Sequence, residues 1–267
     1  MNTLRMSAAS IPFVKASACG NDFLIIDGLD APPDLHAASR SLCDRHRGIG
    51  ADGVEWLFPA QDADIRARLI NADGSDAEIS GNGTRCVAAY LCSGNSLEGV
   101  HIRTDAGIKA CRLISREGQS FEFETALGEP QVGDEFSIRV AFGEVRGIPV
   151  SVGNPHFVVF VEDFTPGWQG EAAEIGSHHD FKNGINVELV RVNNPENIEV
   201  RFFERGVGET QSSGTGSCAS AIASIFAKKA QSPVRVHAPG GMQTVRWEGQ
   251  VFLRGPARLV CRGEFLV

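Results

Sequence analysis

The chain lacks the features that mark several common classes of protein. Its 267 residues contain no apolar run approaching the roughly 18 residues that a membrane-spanning helix needs. The first ten residues carry one arginine and no apolar segment, unlike a secretory signal. With a formal charge of −8, the chain offers no basic stripe for a nucleic-acid backbone. We therefore expect no membrane and no nucleic-acid partner.

Paired cysteines are also missing from the sequence. The seven cysteines are odd in number, scattered along the chain and free of any CxxC pair, which indicates reduced thiols rather than a disulfide framework. His178-His179-Asp180 lies in a polar, loop-like stretch, where we expect solvated side chains and no metal site. Cysteine usage therefore predicts a cytoplasmic protein without a bound metal.

What the chain does contain is one motif that occurs twice, half a chain apart. The copies are Ser80-Gly81-Asn82-Gly83-Thr84 and Ser213-Gly214-Thr215-Gly216-Ser217, and a small apolar, helix-like stretch follows each. A glycine-rich turn before a helix exposes backbone N–H groups that suit a carboxylate. One such serine alone would be interpreted as a helix N-cap. Two matched copies favour a functional pair, acting on opposite sides of one substrate as stereochemical inversion requires.

Short β-like runs separated by turn residues fill most of the remaining sequence. They lie at 23–26, 54–58, 65–70, 121–124, 157–161, 187–190, 198–203, 234–236, 245–247 and 259–260, with helical patterns at 35–45, 83–92 and 216–230. This order predicts a sheet wrapped around one central helix, twice over. A cluster of turn residues places the boundary near 127–134, giving halves at 1–128 and 129–256. No flexible linker is visible, so we expect the active site in the cleft between the halves.

Polar residues flank both turns. Asn71 precedes the first turn, Glu204 and Arg205 precede the second, and Asn154 opens a β-like run. Arginine suits a bidentate grip on a carboxylate, so these residues indicate an amino-acid-like ligand, although Asn154 alone would fit an ordinary Asx-turn. The segment 48–53 matches the dinucleotide pattern GxGxxG, but it leads into a β-like run rather than a helix. We therefore interpret it as a plain turn.

Taken together, these blocks resemble the diaminopimelate epimerase family. The stretch from Asn71 to Cys86 is similar to the first signature of that family. The segments 20–23, 153–156 and 204–216 are similar to its other blocks, in the same order. The resemblance runs from about Lys15 to the C-terminus.

The resemblance implies a cofactor-independent epimerase of lysine and peptidoglycan biosynthesis that interconverts L,L- and meso-diaminopimelate. It implies an α/β fold of the α+β type with two pseudo-symmetric domains, each a mixed, curled sheet around a central helix. It also implies that two such chains form a homodimer. The last strand, near 257–267, would complete the first domain. By resemblance, the non-reacting end of the substrate is held by side chains of Asn21, Asn71, Asn154, Asn186, Glu204 and Arg205. The reacting carboxylate is held by the backbone at Gly81, Asn82, Gly214 and Thr215.

Two departures from the family pattern affect the chemistry. The family's two bases are cysteines, one thiolate and one thiol, whereas the matching positions here are Ser80 and Ser213. A thiol near a helix N-terminus reaches the thiolate near neutral pH, but a serine hydroxyl needs a neighbouring base. No lysine or histidine adjoins either serine in sequence, which leaves His156 as a partner to be sought in space. Gly53 stands where the family often has a polar residue.

Three interpretations of the serines remain open. The chain is an epimerase whose two cysteines were both replaced by serine, a natural homologue that isomerises or racemises another amino acid, or a non-catalytic binding protein that keeps the pocket. An unrelated alternative is a protein-interaction domain in which the glycine turns serve only as helix caps.

Overall fold

The computed structural model describes residues 10–94 and 97–267. The chain forms two compact units. The first comprises the chain up to Phe123 together with Ala257–Val267, and the second comprises Glu124–Pro256. The division after Phe123 falls inside a continuous strand, Ser120–Gly128, rather than at the turn cluster that begins at Gly128.

Among its described residues, the first unit contains seven complete strands, two α-helices and a short 3-10 helix at Gly28–Asp30. The strands are β1 (Ser10–Ala18), β2 (Asn21–Asp27), β3 (Gly53–Phe58), β4 (Ile65–Asn71), β5 (Asp76–Ala77), β6 (Gly99–Thr104) and β7 (Gly107–Glu117). The helices are α1 (Leu35–Cys43) and α2 (Gly81–Ser93). Strand β8 (Ser120–Gly128) leaves this unit, and β18 (Gln250–Leu266) returns to it.

Helix α2 is the centre of the first unit. It packs against β1, β2, β4, β6 and β7, so the sheet surrounds it. Its small residues from Cys86 to Ala89 are fully buried among strand residues such as Phe23 and Phe123. The run from Cys86 to Ala89 is apolar on every side of the helix and has to be covered on every side, which explains the central position of α2. The sheet is mixed, because β2–β3 and β4–β6 are parallel pairs while β1–β2 and β3–β4 are antiparallel.

The second unit has the same plan. Its strands are β9 (Gln131–Val132), β10 (Phe136–Val140), β11 (Gly143–Ser151), β12 (Pro155–Phe160), β13 (Asn186–Asn194), β14 (Asn197–Glu204), β15 (Gly208–Thr210), β16 (Val234–Ala238) and β17 (Gly241–Glu248). Its helices are α3 (Trp168–Gly176) and α4 (Gly214–Phe226). The central helix here is α4, which packs against β11, β12, β13, β14, β16 and β17.

The two units are related by a constant difference in residue number, the 133 residues that separate Ser80 from Ser213. The same offset carries the bounds of β1 to those of β11, of α1 to those of α3 and of α2 to those of α4 without any shift. The strand directions repeat as well, since β12–β13 and β14–β16 are parallel and β13–β14 is antiparallel. The prediction of two pseudo-symmetric α+β halves, each with a mixed sheet around a central helix, is confirmed.

Several details of the predicted elements were wrong, and the sequence patterns missed strands β1, β6, β7, β10 and β11. Helix α4 ends at Phe226 rather than near residue 230, because Lys228 adopts a left-handed conformation with φ of 58° that terminates the helix. Helix α3 was not predicted, since glycines at positions 167, 170 and 176 obscure its helical pattern. None of the helices in the described part of the chain has the length and apolar character that a membrane crossing requires.

Candidate active site

The first motif caps helix α2. Ser80 is the N-cap residue, with extended backbone angles, and its Oγ accepts a hydrogen bond from the Gly83 N–H at 3.1 Å. The Thr84 hydroxyl donates to the Ser80 carbonyl at 2.8 Å and fixes the turn. Ser80 is half-buried and Gly81 is exposed, so the first N–H groups of the helix lie within reach of solvent. These are the donors that a helix leaves unpaired and that suit a carboxylate.

The second motif caps helix α4 in the same way. Ser213 is the N-cap, and its Oγ accepts from the Gly216 N–H at 3.2 Å. Ser213 is more deeply buried than Ser80, at 6% exposure, while Gly214 and Thr215 are half-buried. Both serines are therefore N-caps, the structural role that a single serine before a glycine turn would be given. Capping leaves the hydroxyl proton of each serine available to a further acceptor.

A buried carboxyl lies behind each helix start. A methyl group placed on Gly83 would overlap Glu55 Oε1 and lie 3.3 Å from Ser80 Cβ. One placed on Gly216 would lie 2.8 Å from Glu188 Oε1 and 3.0 Å from Ser213 Cβ. Only glycine fits in either position, since the carboxyl occupies the space of a side chain. Each glutamate is thus packed against the first turn of its helix, on the side where the capping serine lies.

The second carboxyl has a histidine partner. Glu188 Oε1 lies 2.7 Å from His156 Nδ1, and both side chains are fully buried. The other ring nitrogen of His156 lies 2.9 Å from Asn154 Oδ1. Glu55 is only 3% exposed, and among the described residues Glu188 Oε2 is a buried carboxyl oxygen without a hydrogen-bond partner. His156 thus proves to be the partner of one oxygen of the second carboxyl.

Burial dominates the electrostatics of both carboxyls. Loss of solvent raises the pKa of Glu55 to about 8. Burial also raises the pKa of Glu188, and the neighbouring His156 opposes that rise. Glu55 therefore holds its proton into the neutral range, which is where a group that both takes and returns protons is most effective.

Neither glutamate was singled out from the sequence, although a signal for both was present. Each is an isolated acidic residue inside an apolar strand, in Val54-Glu55-Trp56 and in Val187-Glu188-Leu189. The offset that relates Ser80 to Ser213 also relates these two glutamates. A charge that recurs at the offset of the repeated motif indicates a shared role better than either strand does alone.

The predicted binding residues of the first unit fall into two groups. Asn21 and Asn82 are joined, because Asn82 Nδ2 donates to Asn21 Oδ1 at 2.7 Å and Asn21 Nδ2 donates to Asp52 at 3.0 Å. The Arg85 guanidinium donates to Asn82 Oδ1 and completes the cluster. Asn71 is bonded instead to Ser75 within its own turn, at 3.0 Å. The structure therefore brings Asn21 and Asn82 together at the start of α2, and the side chain of Asn71 bonds elsewhere.

The predicted binding residues of the second unit lie close together at one end of neighbouring strands, where β12 and β13 begin and β14 ends. Asn186 Nδ2 donates to the Pro155 carbonyl at 2.7 Å, and Asn186 Oδ1 accepts from the backbone N–H of Arg205 at 3.0 Å. Glu204 accepts from the Thr210 hydroxyl at 2.6 Å, and its charge adds to the burial that raises the pKa of Glu188. Because Asn154 contacts His156, these residues form a chain of contacts that reaches the carboxyl behind Ser213.

Two further segments singled out from the sequence are ordinary in their surroundings. His178, His179 and Asp180 place three potential ligand atoms within 4.8 Å of one another. One ring nitrogen of His178 lies 3.2 Å from the Arg139 carbonyl and the other accepts from the Asp180 N–H at 3.3 Å, so backbone groups engage this ring. The segment 48–53 leads into β3 and not into a helix, as expected of a plain turn.

Comparison with known proteins establishes the family. The sequence description of the diaminopimelate epimerase family matches residues 13–132 and 148–260. The chain belongs to the diaminopimelate epimerase family. A diaminopimelate epimerase from Pelotomaculum thermopropionicum is 37% identical, over 95% of this chain and 98% of that protein. One from Moorella thermoacetica is also 37% identical with the same coverage. The resemblance found from the motifs is confirmed, and the family is one of isomerases.

Solved structures show the same fold at lower sequence identity. A phenazine biosynthesis protein of the PhzF family from Bacillus anthracis superposes with a TM-score of 0.75 at 17% identity, over 97% of this chain and 99% of that one. A hydroxyproline epimerase from Agrobacterium vitis gives a TM-score of 0.70 at 18% identity, over 96% and 91% of the two chains. These likenesses confirm the α+β architecture of this diaminopimelate epimerase family member.

Proposed function

We propose that this family member acts on diaminopimelate by transferring a proton from one face of an α-carbon and returning a proton to the other. Ser80 and Ser213 occupy the two proton-transfer positions. The backbone N–H groups at Gly81, Asn82, Gly214 and Thr215 receive the carboxylate of the reacting centre. The observation that carries the proposal is the matched pair of serine-capped helix starts in a chain that is 37% identical to diaminopimelate epimerases.

The chemistry of the helix starts supports this role. Removal of an α-proton leaves charge on the carbon that spreads into the adjacent carboxylate, and preorganised backbone donors stabilise such charge. No cofactor is expected in this proposal. The distal end of the substrate is assigned to Asn21, Asn71, Asn154, Asn186, Glu204 and Arg205. From the family resemblance we also propose a homodimer, acting in the cytoplasm in lysine and peptidoglycan biosynthesis.

Serine at both proton-transfer positions lowers the expected rate of epimerisation. A hydroxyl is a far weaker acid than a thiol, so the serines form an anionic base less readily than cysteines would. We expect this chain to bind the substrate and to epimerise it more slowly than its doubly substituted Ser80→Cys/Ser213→Cys variant. A faster variant would show that the scaffold is that of an epimerase with weakened bases.

The test is incorporation of deuterium at the α-carbon of L,L-diaminopimelate in D₂O. We expect the Ser80→Cys/Ser213→Cys variant to exchange at least about 100-fold faster than the parent chain, the scale of a typical acid–base contribution. A Ser120→Cys/Ser137→Cys variant, with thiols at exposed strand positions away from the helix starts, is the matched control and should behave as the parent. A folded Ser80→Cys/Ser213→Cys variant that neither exchanges nor epimerises diaminopimelate would contradict the proposal.

Binding is a separate readout of the same proposal. Diaminopimelate should raise the melting temperature of the parent chain, whereas lysine and glutamate at equal concentration should not, because stabilisation follows affinity for the folded state. A protein-interaction domain with purely structural glycine turns would show no shift with any of the three.

A further inference from the structure

The starting observation is a buried arginine in the central helix of the first unit. Arg85 is only 2% exposed, and it lies three residues after Asn82 on α2, so the two side chains share one face of the helix. Arginine is rarely buried to this extent, because its guanidinium keeps its charge and needs acceptors for its hydrogen bonds. An arginine buried so close to the helix start calls for an explanation.

The second observation is what the guanidinium of Arg85 contacts. Its Nη2 donates to Asn82 Oδ1 and lies 3.7 Å from Cys19 Sγ, and both of these neighbours are themselves buried. Asn82 is the second residue of α2, and its backbone N–H belongs to the first turn, whose N–H groups the helix itself does not use. Arg85 thus holds the side chain of a residue at the very start of the helix.

The hydrogen bonds continue beyond Asn82. Asn82 Nδ2 donates to Asn21 Oδ1 at 2.7 Å, and Asn21 Nδ2 donates to Asp52 Oδ2 at 3.0 Å. Asp52 also accepts from Arg45 at 2.8 Å, which holds this carboxylate in place. Four side chains are therefore joined in sequence, and together they are named the Arg85–Asp52 network: Arg85, Asn82, Asn21 and Asp52.

The two ends of the Arg85–Asp52 network determine how both carboxamides are turned. A guanidinium only donates and a carboxylate only accepts, whereas a carboxamide does either, depending on which end faces its neighbour. Arg85 requires the oxygen of Asn82, which directs the Asn82 amide nitrogen to Asn21. Asp52 requires the amide nitrogen of Asn21, which directs the Asn21 oxygen to Asn82. Both ends specify the same orientation, so neither carboxamide turns over without breaking two hydrogen bonds.

The second unit does not repeat this network. The 133-residue difference between the units places Cys218 and Ile185 at the positions of its two ends, and Thr215 at the position of the helix-start asparagine. None of these residues carries a guanidinium, a carboxylate or a carboxamide. The Arg85–Asp52 network is therefore not part of the duplicated frame, which favours a role at the first helix start over a general role in the fold.

We propose that Arg85 is a positioning residue for the substrate carboxylate. The inference rests on the proposed function, in which the backbone at Gly81 and Asn82 receives that carboxylate. By fixing the side chain of Asn82, Arg85 holds the second residue of α2 and the direction of its backbone N–H before the substrate arrives. Donors that are already in place bind more tightly, because binding does not have to order them.

The experiment measures the dissociation constant of diaminopimelate by calorimetry for the parent and for three variants: Arg85→Met, Arg85→Lys and Arg66→Met. Arg85→Met removes the donors from a side chain of similar length and should weaken binding about 30-fold, the scale of a lost hydrogen bond to a charged group. Arg85→Lys keeps a group that only donates and should stay within about fivefold of the parent. Arg66, on β4 and 49% exposed, provides the matched control, and Arg66→Met should bind as the parent does.

Two results of this series would overturn the inference. Equal weakening by Arg85→Met and Arg85→Lys would mean that only the fit of the side chain matters. An Arg85→Met variant that binds like the parent would mean that the arginine has no influence on the carboxylate site.

A double-variant comparison tests whether Arg85 acts through Asn82. In the Asn82→Ala background, Arg85→Met should weaken binding less than about threefold, because the contact that it removes is already gone. A loss as large as that in the parent background would contradict a route through Asn82.

A measurement on the unaltered chain keeps the test decisive if Arg85→Met does not fold. The side-chain amide protons of Asn82, followed by NMR without substrate, should exchange with solvent at least about tenfold more slowly than those of Asn193, which is exposed. Exchange as fast as that of Asn193 would show that the Arg85–Asp52 network does not hold the carboxamide and would overturn the inference.

The outcomes separate this inference from the proposed function. If the parent and Arg85→Met bind diaminopimelate equally well, the positioning role is wrong and the epimerase assignment stands. If the folded parent does not bind diaminopimelate, and its Ser80→Cys/Ser213→Cys variant neither binds nor epimerises it, the assignment fails and the positioning role fails with it.

Discussion

In the second unit the carboxyl behind the helix start is held by a histidine, whereas the equivalent carboxyl of the first unit has a phenylalanine in that place. Glu188 lies 2.7 Å from His156 Nδ1, and Glu55 has Phe23 where the histidine would be. The capping hydrogen bonds are nearly equal in length, at 3.1 Å for Ser80 and 3.2 Å for Ser213. One backbone frame thus presents two serines in different electrostatic surroundings.

The difference shows how a duplicated fold places two matched serines in unequal surroundings, which the proposed proton transfer would use. An exchange of protons between two faces of one carbon needs one group ready to accept and another ready to donate. The two helix caps have hydrogen bonds of nearly equal length but differ in burial, because Ser213 is buried and Ser80 is half-buried. The residues behind the caps differ as well, at positions 23 and 156 on the strands that cover the two carboxyls.

The largest expected effect follows from making the second unit like the first. His156→Phe removes the partner of Glu188 and leaves a buried carboxyl alone. We expect the free energy of unfolding at neutral pH to fall by about 3 kcal/mol, as when one member of a buried pair is removed. Urea denaturation measures the change, with His101→Phe at an exposed strand position as the control. A loss no greater than that of the control would show that the pair is unimportant.

A smaller effect concerns the pH dependence of stability that Glu55 contributes. Its pKa is about 8 when folded against an ordinary value of 4.5, so between these values the folded chain holds a proton that the unfolded chain releases. Its contribution to stability is present below pH 4.5 and is lost as the pH rises towards 8. Relative to the parent, Glu55→Gln should gain on the order of 2 kcal/mol between pH 5 and pH 7.

Glu188 is present in both proteins of that comparison, so its own titration cancels. Denaturation at pH 5, 7 and 9 gives the difference in stability directly. A difference that does not change with pH would mean that Glu55 titrates normally and that its burial has no electrostatic consequence.

The smallest effect tests the packing of the carboxyl against its helix. Gly83→Ala places a methyl group on Glu55 Oε1, while an added methyl on Gly81 meets no atom within 4 Å. We expect Gly83→Ala to lower the free energy of unfolding by at least about 1 kcal/mol, the cost of overpacking. Gly81→Ala should be neutral or slightly stabilising, because alanine favours a helix. Equal melting temperatures for the two variants would place the carboxyl elsewhere.

Much of the fold was predictable from local patterns. The starts of α2 and α4 follow from serine before a glycine turn, and most strands follow from short apolar runs between turns. The end of α4 was not predictable, because nothing in Ala227-Lys228-Lys229 marks a left-handed residue. Helix α3 has no clear helical pattern of its own. Its position follows from that of α1 and the offset between the two serine motifs, so the repeat predicts this helix better than the local pattern does.

The candidate site was predictable only in part. Ser80 and Asn82 could be predicted because they lie in a glycine-rich turn motif that occurs twice in the sequence. The positions of Glu55 and His156 relative to the two helix starts depend on how the strands pair and on which strand packs against which helix. Local sequence contains no such pairing, so the contrast between Phe23 and His156 emerges only once the two sheets are known.

The most direct test of the epimerase proposal is deuterium incorporation at the α-carbon of L,L-diaminopimelate in D₂O by the parent chain and by its Ser80→Cys/Ser213→Cys variant. We expect the cysteine variant to exchange at least about 100-fold faster than the parent. A folded cysteine variant that exchanges no faster than the parent would contradict the proposal.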